Sequence, residues 1–261
     1  MGKTHEALKR AEKEQQEKLP ETFFESQEIM VAKRSKQVLN KAVEVKKSKK
    51  IPVKMLPIRF QEVKTRLITR FPEDSVKTIL ITSTAHESGC STTAANFALT
   101  LAQDCKRNVL LIDANLRSPR LHEVFNIEHN QGLSQLLMKD EDQTSLFKKV
   151  GRGNLFVIPC GENKSGPMNL FESDRFSMTL ENVRKKFDYV IFDAPPVNGC
   201  FDSIIIGRKV DGVILVIESG KTRKQVAIKA KQELEEAGAK VLGVILNRRK
   251  HYIPEWIYKR L

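Results

Sequence analysis

Residues 81–99, ITSTAHESGCSTTAANFAL, hold most of the parts of a phosphate-binding site in order: an apolar run, a small-residue turn, and a helix-like run opening on Ser91, Thr92 and Thr93. The general phosphate loop reads G-x-x-x-x-G-K-[ST] between a strand and a helix. Here Gly89 takes the second glycine position and Ser91 the hydroxyl, while Thr84 stands at the first glycine and Cys90 at the lysine. Successive backbone N–H groups over residues 87–92 can still form an anion nest, and the helix beginning near Ser91 aims its positive end at the same point. The candidate nucleotide-binding set is therefore Thr84, Ala85, His86, Glu87, Ser88, Gly89, Cys90, Ser91 and Thr92. What the pattern lacks is the ammonium that neutralises the outer phosphates. Losing one such preorganised donor elsewhere costs roughly 3–4 kcal/mol, about 10²–10³ in rate. Glu87 adds a carboxylate that repels phosphate unless a cation intervenes. The Cys90 thiol has two readings. A helix N-terminus lowers a thiol pKa and makes it reactive; the plainer alternative is an inert replacement in a loop that no longer uses lysine chemistry, and that reading is preferred.

Two carboxylates close strand-like runs: Asp113 in NVLLIDA and Asp193 in DYVIFDA. A strand-end carboxylate can hold Mg²⁺ or orient an attacking hydroxyl, and Ser91 is a third oxygen ligand for such a metal. A single strand-end aspartate is often only a loop cap, but two beside an anion nest favour the catalytic and metal roles. Arg117 and Arg120, in DANLRSPR, either supply positive charge to that site or cover surface.

These groups need a frame that gathers strand ends. From about residue 58, a helix-like run, IRFQEVKTRLITRF, precedes six apolar runs: 76–83, 108–114, 154–159, 188–194, 211–219 and 240–247. Helical stretches start near Ser91, Gly132, Asp174, Asp202 and Thr222. The strand runs are rich in Val, Ile and Leu with little alternation, as in strands buried on both faces. The expected fold is α/β: a P-loop NTPase-like, doubly wound, mostly parallel sheet flanked by helices on both faces. In such sheets ligands sit at the carboxyl ends of the strands, where Ser83 onward, Asp113 with Asn115, and Asp193 all fall.

The remaining composition constrains partners. No apolar run approaches the roughly 20 residues of a membrane span, the N-terminus lacks an apolar signal core, and Glu6 breaks the myristoylation pattern. The four cysteines, Cys90, Cys105, Cys160 and Cys200, form no CxxC pair and read as reduced thiols of a cytoplasmic protein. Residues 1–18 read as a short charged helix. Residues 19–57 read as a basic, poorly ordered linker, and the net charge of the whole chain is +13. Lys33, Arg34, Lys36, Lys41, Lys46, Lys47, Lys49, Lys50 and Lys54 face only Glu44 over 33–54, which suits either an anionic partner (an acidic membrane face, nucleic acid or an acidic protein) or a solvated linker. The core domain is taken as 58–247 and the tail as 248–261. In that tail Ile253, Trp256, Ile257 and Leu261 share one face of a helix opening at Pro254, a candidate for docking on a partner or a membrane interface.

The three motifs together resemble the cytoplasmic domain of bacterial tyrosine autokinases of the CpsD/CapB type. That family's loop ends GKSTTAANLA, where this chain has GCSTTAANFA. Its second motif, roughly VLLIDADLRRPxLHxxF, is here VLLIDANLRSPRLHEVF, and its third, roughly FDYVIIDTPPV, is FDYVIFDAPPV. The opening MGKTHEALKRAE, the segment NLFVIPCGENKSGPMNLFESDRF, and the runs VDGVILVIESGKTRKQV and KVLGVILN are also similar, so the likeness covers nearly all of 58–261. The resemblance implies ATP and Mg²⁺ as cofactors. It also implies metal and catalytic roles for Ser91, Asp113 and Asp193, a catalytic role for Arg117, a nucleotide contact at Asn247, and phospho-acceptor tyrosines at Tyr252 and Tyr258. It further implies a membrane-bound polysaccharide co-polymerase as partner and activator, a homo-oligomer, and a cytoplasmic position at the inner membrane face; nucleic acid is not expected. The departures are specific. Cys90 replaces lysine, Glu87 a loop glycine, and Asn115 the second aspartate of the family's DAD. The family's E-x-x-R-x-x-R assembly helix stands here as Ile58, Gln61 and Lys64. The expectation is a tyrosine-kinase-like protein of capsule or exopolysaccharide export with weakened ATP chemistry, a regulator or scaffold. An active autokinase is the first alternative and a positioning ATPase the second.

Overall fold

The computed structural model describes residues 60–71, 75–103, 107–138, 146–151, 153–162 and 170–248, all within the second of two compact units, 43–261. The expected N-terminal helix, the basic linker, and Tyr252 and Tyr258 lie outside these residues. Helix α1 (Gln61–Arg70) precedes strand β1 (Thr78–Ser83), helix α2 (Cys90–Ala102) and strand β2 (Val109–Asp113). Two short helices follow, α3 (Leu121–Phe125) and α4 (Leu133–Met138), then β3 (Lys148–Val150) and β4 (Leu155–Ile158). The chain continues through α5 (Asp174–Lys186), β5 (Tyr189–Asp193), α6 (Asp202–Gly207), β6 (Gly212–Glu218), α7 (Lys224–Glu236) and β7 (Val241–Asn247).

The strands form one seven-stranded sheet in the order β3-β4-β2-β5-β1-β6-β7. Every pairing is parallel except β3 with β4. All six strands expected from the sequence are present. Strand β3 and helix α3 were not foreseen: β3 is three residues, two of them lysines, and carries no apolar run to read. Those lysines on an edge strand discourage further pairing.

The central strands β1, β2, β5 and β6 are buried along their whole length. Helix α2 covers one face. Its Ala94, Ala95, Ala98 and Ala102 let the backbone lie close to the sheet, while Phe97 and Leu101 fill the gaps against Ile79, Ile81, Leu111, Ile191, Ile214 and Val216. The other face is aromatic. Phe176 of α5 packs edge-on against Phe192 of β5 and against Phe171, with centroids 6.0 and 5.4 Å apart. Helix α5 is started by Ser173, whose hydroxyl accepts from the Phe176 N–H at 3.2 Å, and its last turn carries Arg184, Lys185 and Lys186.

Burial on both faces does not extend to β7. Its side chains alternate between partly covered and exposed, because it is the last strand of the sheet and helix α7 does not reach over it fully. The sequence KVLGVILN is as apolar as the central strands, so its edge position was not legible from composition.

Candidate functional site

The strand order sets β2, β5 and β1 side by side, and their carboxyl ends meet as expected. In register, Asp113 stands opposite Asp193, and Asp193 opposite Ile81. The loop after β1 is built largely by its own side chains. The hydroxyls of Ser83 and Ser88 both donate to the Ala85 carbonyl, at 2.9 and 2.8 Å. Two residues adopt the left-handed conformation, Glu87 at φ 61° and Gly89 at φ 79°. A glycine meets that need without strain, whereas a glutamate pays for it, so the loop keeps its curvature at a position where the residue type no longer favours it. No side chain caps α2, which leaves its first N–H groups for an anion.

Asn247, at the end of β7, donates from Nδ2 to the Ser88 carbonyl at 2.8 Å, and a Cβ added at Gly89 would collide with that same amide. Asn247 thus braces the loop from outside. The Thr84 hydroxyl lies 3.4 Å from that of Thr222, in the loop after β6. His86, Glu87 and Thr92 are exposed along the loop, as is Ala85, while Ser91 is partly covered at the helix start.

Cys90 turns its thiol inward. Its Sγ lies 3.4 Å from the Ile81 carbonyl and 3.7 Å from that of Ala194. Burial pushes the thiol pKa well above its ordinary value, and the Asp193 charge pushes the same way. This shift is opposite to the lowering that a helix N-terminus alone would give, and it favours the protonated thiol. Cys160 and Cys200 are likewise buried and raised, Cys160 to about 11 by burial and then by the charge of Asp113.

The two aspartates differ. Asp113 accepts three backbone bonds, from Asn115 at 3.2 Å, Arg120 at 3.0 Å and Leu121 at 2.9 Å. Asp193 is fully buried and neither of its oxygens has a hydrogen-bond partner. Burial raises both: Asp193 to about 6, eased downward by Ser91 and Cys90 without bonding geometry, and Asp113 to about 8, with the charge of Asp193 adding to burial. The bare pair therefore does not carry two full negative charges at neutral pH. A buried, unpartnered carboxylate beside a serine hydroxyl and a second carboxylate is an all-oxygen donor set suited to Mg²⁺. That ion takes one or two carboxylates and completes its shell with water and phosphate. Among the described residues no group of three or more His, Cys, Asp and Glu side chains is placed to hold a metal ion.

Arg117 stands on the rim. Its Nε is 3.6 Å from Oδ2 of Asp202, a buried carboxylate that also accepts from the Cys200 thiol at 3.2 Å. Arg120 pairs with Glu123 instead, at 3.0 Å. Asn115 closes its own turn, accepting from the Ser118 N–H at 3.1 Å. Asp202 and the bracing role of Asn247 were missed at the level of sequence. Asp202 had been read only as a helix start, and nothing local marks a strand-end asparagine as a support for a loop more than 150 residues away.

The fold and site define a P-loop NTPase-type domain. The sequence profile of the AAA domain matches residues 76–225. The tyrosine-protein kinase YwqD of Bacillus subtilis is 36% identical over 192 residues, covering 74% of this chain and 81% of that protein. The chimerical protein CapA2B2 superposes with a TM-score of 0.71 at 31% identity, over 74% of this chain and 85% of that one. The septum site-determining protein MinD of Pyrococcus horikoshii, solved with Mg-ADP, aligns with a TM-score of 0.56 at 21% identity, over 71% of this chain and 76% of that one. That last likeness extends to the fold alone. The chain belongs to the CpsD/CapB-type family of bacterial tyrosine kinases. Among the described residues no helix is long and apolar enough to cross a membrane.

Proposed function

We propose that this chain is a tyrosine-kinase-type protein of capsular or exopolysaccharide export whose own ATP chemistry is weakened, acting as a regulator or scaffold. It would work on the cytoplasmic side of the inner membrane, beside a membrane-bound co-polymerase. The observation that carries this reading is Cys90. At the position of the phosphate-binding lysine, a thiol faces inward to two carbonyls, so that position supplies no ammonium to the outer phosphates.

ATP and Mg²⁺ fit the rest of the site. The amides of residues 87–92 and the N-terminus of α2 would hold phosphate oxygens. Ser91, Asp113 and Asp193 would hold Mg²⁺, which when bound neutralises phosphate charge. Asp113, fixed by three backbone N–H groups, offers an oriented carboxylate for a tyrosine hydroxyl. Arg117 is a cation suited to a catalytic role, and Asp202 fixes where its guanidinium stands. Asn247 acts through the loop, as a positioning residue. Glu87 opposes anion binding. A chain with these parts retains a nucleotide cradle but lacks the cation that follows charge into the transition state.

An active autokinase, with Tyr252 and Tyr258 as acceptors, is the second reading, and the retained register of Asp113 with Asp193 beside Ser91 favours it. Calorimetric titration with Mg·ATP and Mg·ADP separates the two. Weak or absent binding by the wild type, restored in Cys90→Lys, is the expected result. Tight wild-type binding together with autophosphorylation in a reaction free of other kinases would overturn the weakened-site reading. The titration is repeated with the membrane partner present, because a cation supplied by that partner would also restore binding.

A further inference from the structure

The outer strand leaves an apolar strip bare. Val244 and Leu246 of β7 are 46% and 61% exposed. They pair in register with Leu215 and Ile217 of β6. The alternate β6 residues, Ile214 and Val216, belong to the core under α2, so Val244 and Leu246 lie on the opposite face of the sheet. Helix α7 roofs that face, with Ala230 and Leu234 buried against it, and Leu234 lies close to Val213 and Gly207. The roof covers β7 only in part. Ile228 of α7, 45% exposed, adds to the uncovered apolar surface.

The chain that leaves β7 matches this strip in place, length and chemistry. Arg248, at φ 54°, ends the extended run two residues past Leu246, and its guanidinium is held 3.1 Å from Glu218. Residues 249–261, RKHYIPEWIYKRL, carry Ile253, Trp256, Ile257 and Leu261 at helical spacing, with Pro254 suited to a first helical position. A helix from Pro254 to Leu261 is about 12 Å long. The strip it would cover, Val244 to Leu246, spans about 7 Å of strand, within that length; Leu242 belongs to the core on the α2 face. Direction also agrees. Strands β6 and β7 are parallel, so α7 runs against them, and a segment folding back from the end of β7 runs alongside α7. Helix α7 closes on Glu233, Glu235 and Glu236, and the folding segment closes on Lys259 and Arg260. Glu233 and Glu235 already pair with Lys229 and Lys231 within α7, at 3.7 and 2.8 Å, so the charge match at that end rests on Glu236.

We propose that residues 249–261 dock in cis on the Val244–Leu246 strip beside α7 and close the second face of the sheet. Docking occupies the edge of β7 and ties Tyr252 and Tyr258 to the domain surface, so their modification would require release of the segment. The proposal does not depend on nucleotide binding.

Trp256 is the sole tryptophan of the chain, which makes its fluorescence a direct report on this segment. In the full chain its emission should be blue-shifted and its acrylamide quenching severalfold weaker than in the free 249–261 peptide. Leu246→Ser should raise quenching towards the peptide value, and Ile257→Ser, outside the folded sheet, should do the same. Met178→Ser, at an exposed residue of α5, should leave it unchanged. Urea unfolding checks that each variant is folded. Peptide-like quenching in the wild type overturns the proposal, as does a Leu246→Ser variant that keeps Trp256 shielded. Shielding that grows with protein concentration assigns the strip to a second copy, and shielding that appears only with anionic vesicles assigns the segment to a membrane; either result overturns docking in cis.

Discussion

The two margins of the sheet treat an aspartate in opposite ways, one half-buried and one fully buried. At the amino margin, before β6, Asp211 accepts the N–H groups of Lys77 and Thr78 at 2.9 and 2.8 Å and the Thr78 hydroxyl at 2.9 Å. It also pairs with Arg184 at 2.8 Å. Burial alone would raise its pKa, but these bonds and the guanidinium outweigh burial and lower it. At the carboxyl margin Asp193 is more deeply buried and has no partner at all. Buried polar groups in folded proteins are nearly always satisfied, and a carboxylate that is not is a common mark of a binding site. Asp211 staples β1 to β6. Asp193 costs stability and is completed only by something the fold does not supply.

That contrast can be broken by substitution. Asp211→Ala should destabilise the domain by about 2–4 kcal/mol, since it strands two backbone donors, a hydroxyl and a guanidinium. Asp193→Asn, measured without Mg²⁺, should be neutral or stabilising by up to about 1 kcal/mol, and should remove any Mg²⁺-dependent nucleotide binding. Urea unfolding reads both. Equal losses at the two positions would mean that Asp193 is structural after all.

Proton linkage sharpens the same comparison. Asp193 and Asp113 have folded pKa values raised above the unfolded carboxylate range, so the folded chain binds their protons more tightly. Their contribution to stability is fully present below pH about 4 and is lost as pH rises through about 6 and then about 8. Asp211, lowered, works the other way: its contribution is present above pH about 4 and is lost as pH falls through its lower folded value. In EDTA, the urea midpoint should therefore fall as pH rises from about 5 to about 8.5. The double variant Asp113→Asn/Asp193→Asn should lose that fall and keep only a small rise from His122, whose pKa burial lowers. An unchanged slope in the double variant would place the titration elsewhere.

The sequence carried the six long strands, the order of the motifs and the meeting of Asp113, Asp193 and the loop, because Val, Ile and Leu runs ending in polar residues are local signals. It did not carry the edge position of β7, which depends on strand order, or the brace from Asn247 to Ser88, which joins the last strand to the first loop. For Cys90 the sequence favours the inert reading without supplying its cause. The helix N-terminus argued for a reactive thiol, and the outcome was decided by burial and by the neighbouring charge of Asp193, neither of which has a signature in the motif itself.

The loop offers a finer contrast between two left-handed residues, one suited to its conformation and one not. Gly89→Ala places a Cβ at φ 79° and against the Asn247 amide, and should cost about 1–3 kcal/mol while loosening the loop's brace. Glu87→Gly acts in two directions. It relieves a left-handed glutamate, worth about 1 kcal/mol, and it adds unfolded-chain entropy of about 0.5–1 kcal/mol, so the net change in stability should be close to zero. Its effect on binding has one direction, because an exposed carboxylate is removed from the mouth of an anion nest. Phosphate or Mg·ADP affinity should therefore rise in Glu87→Gly at nearly constant stability, and rise further in combination with Cys90→Lys. If the affinity gain is matched by an equal gain in stability, Glu87 acts through loop strain; a gain in affinity alone makes its charge the barrier.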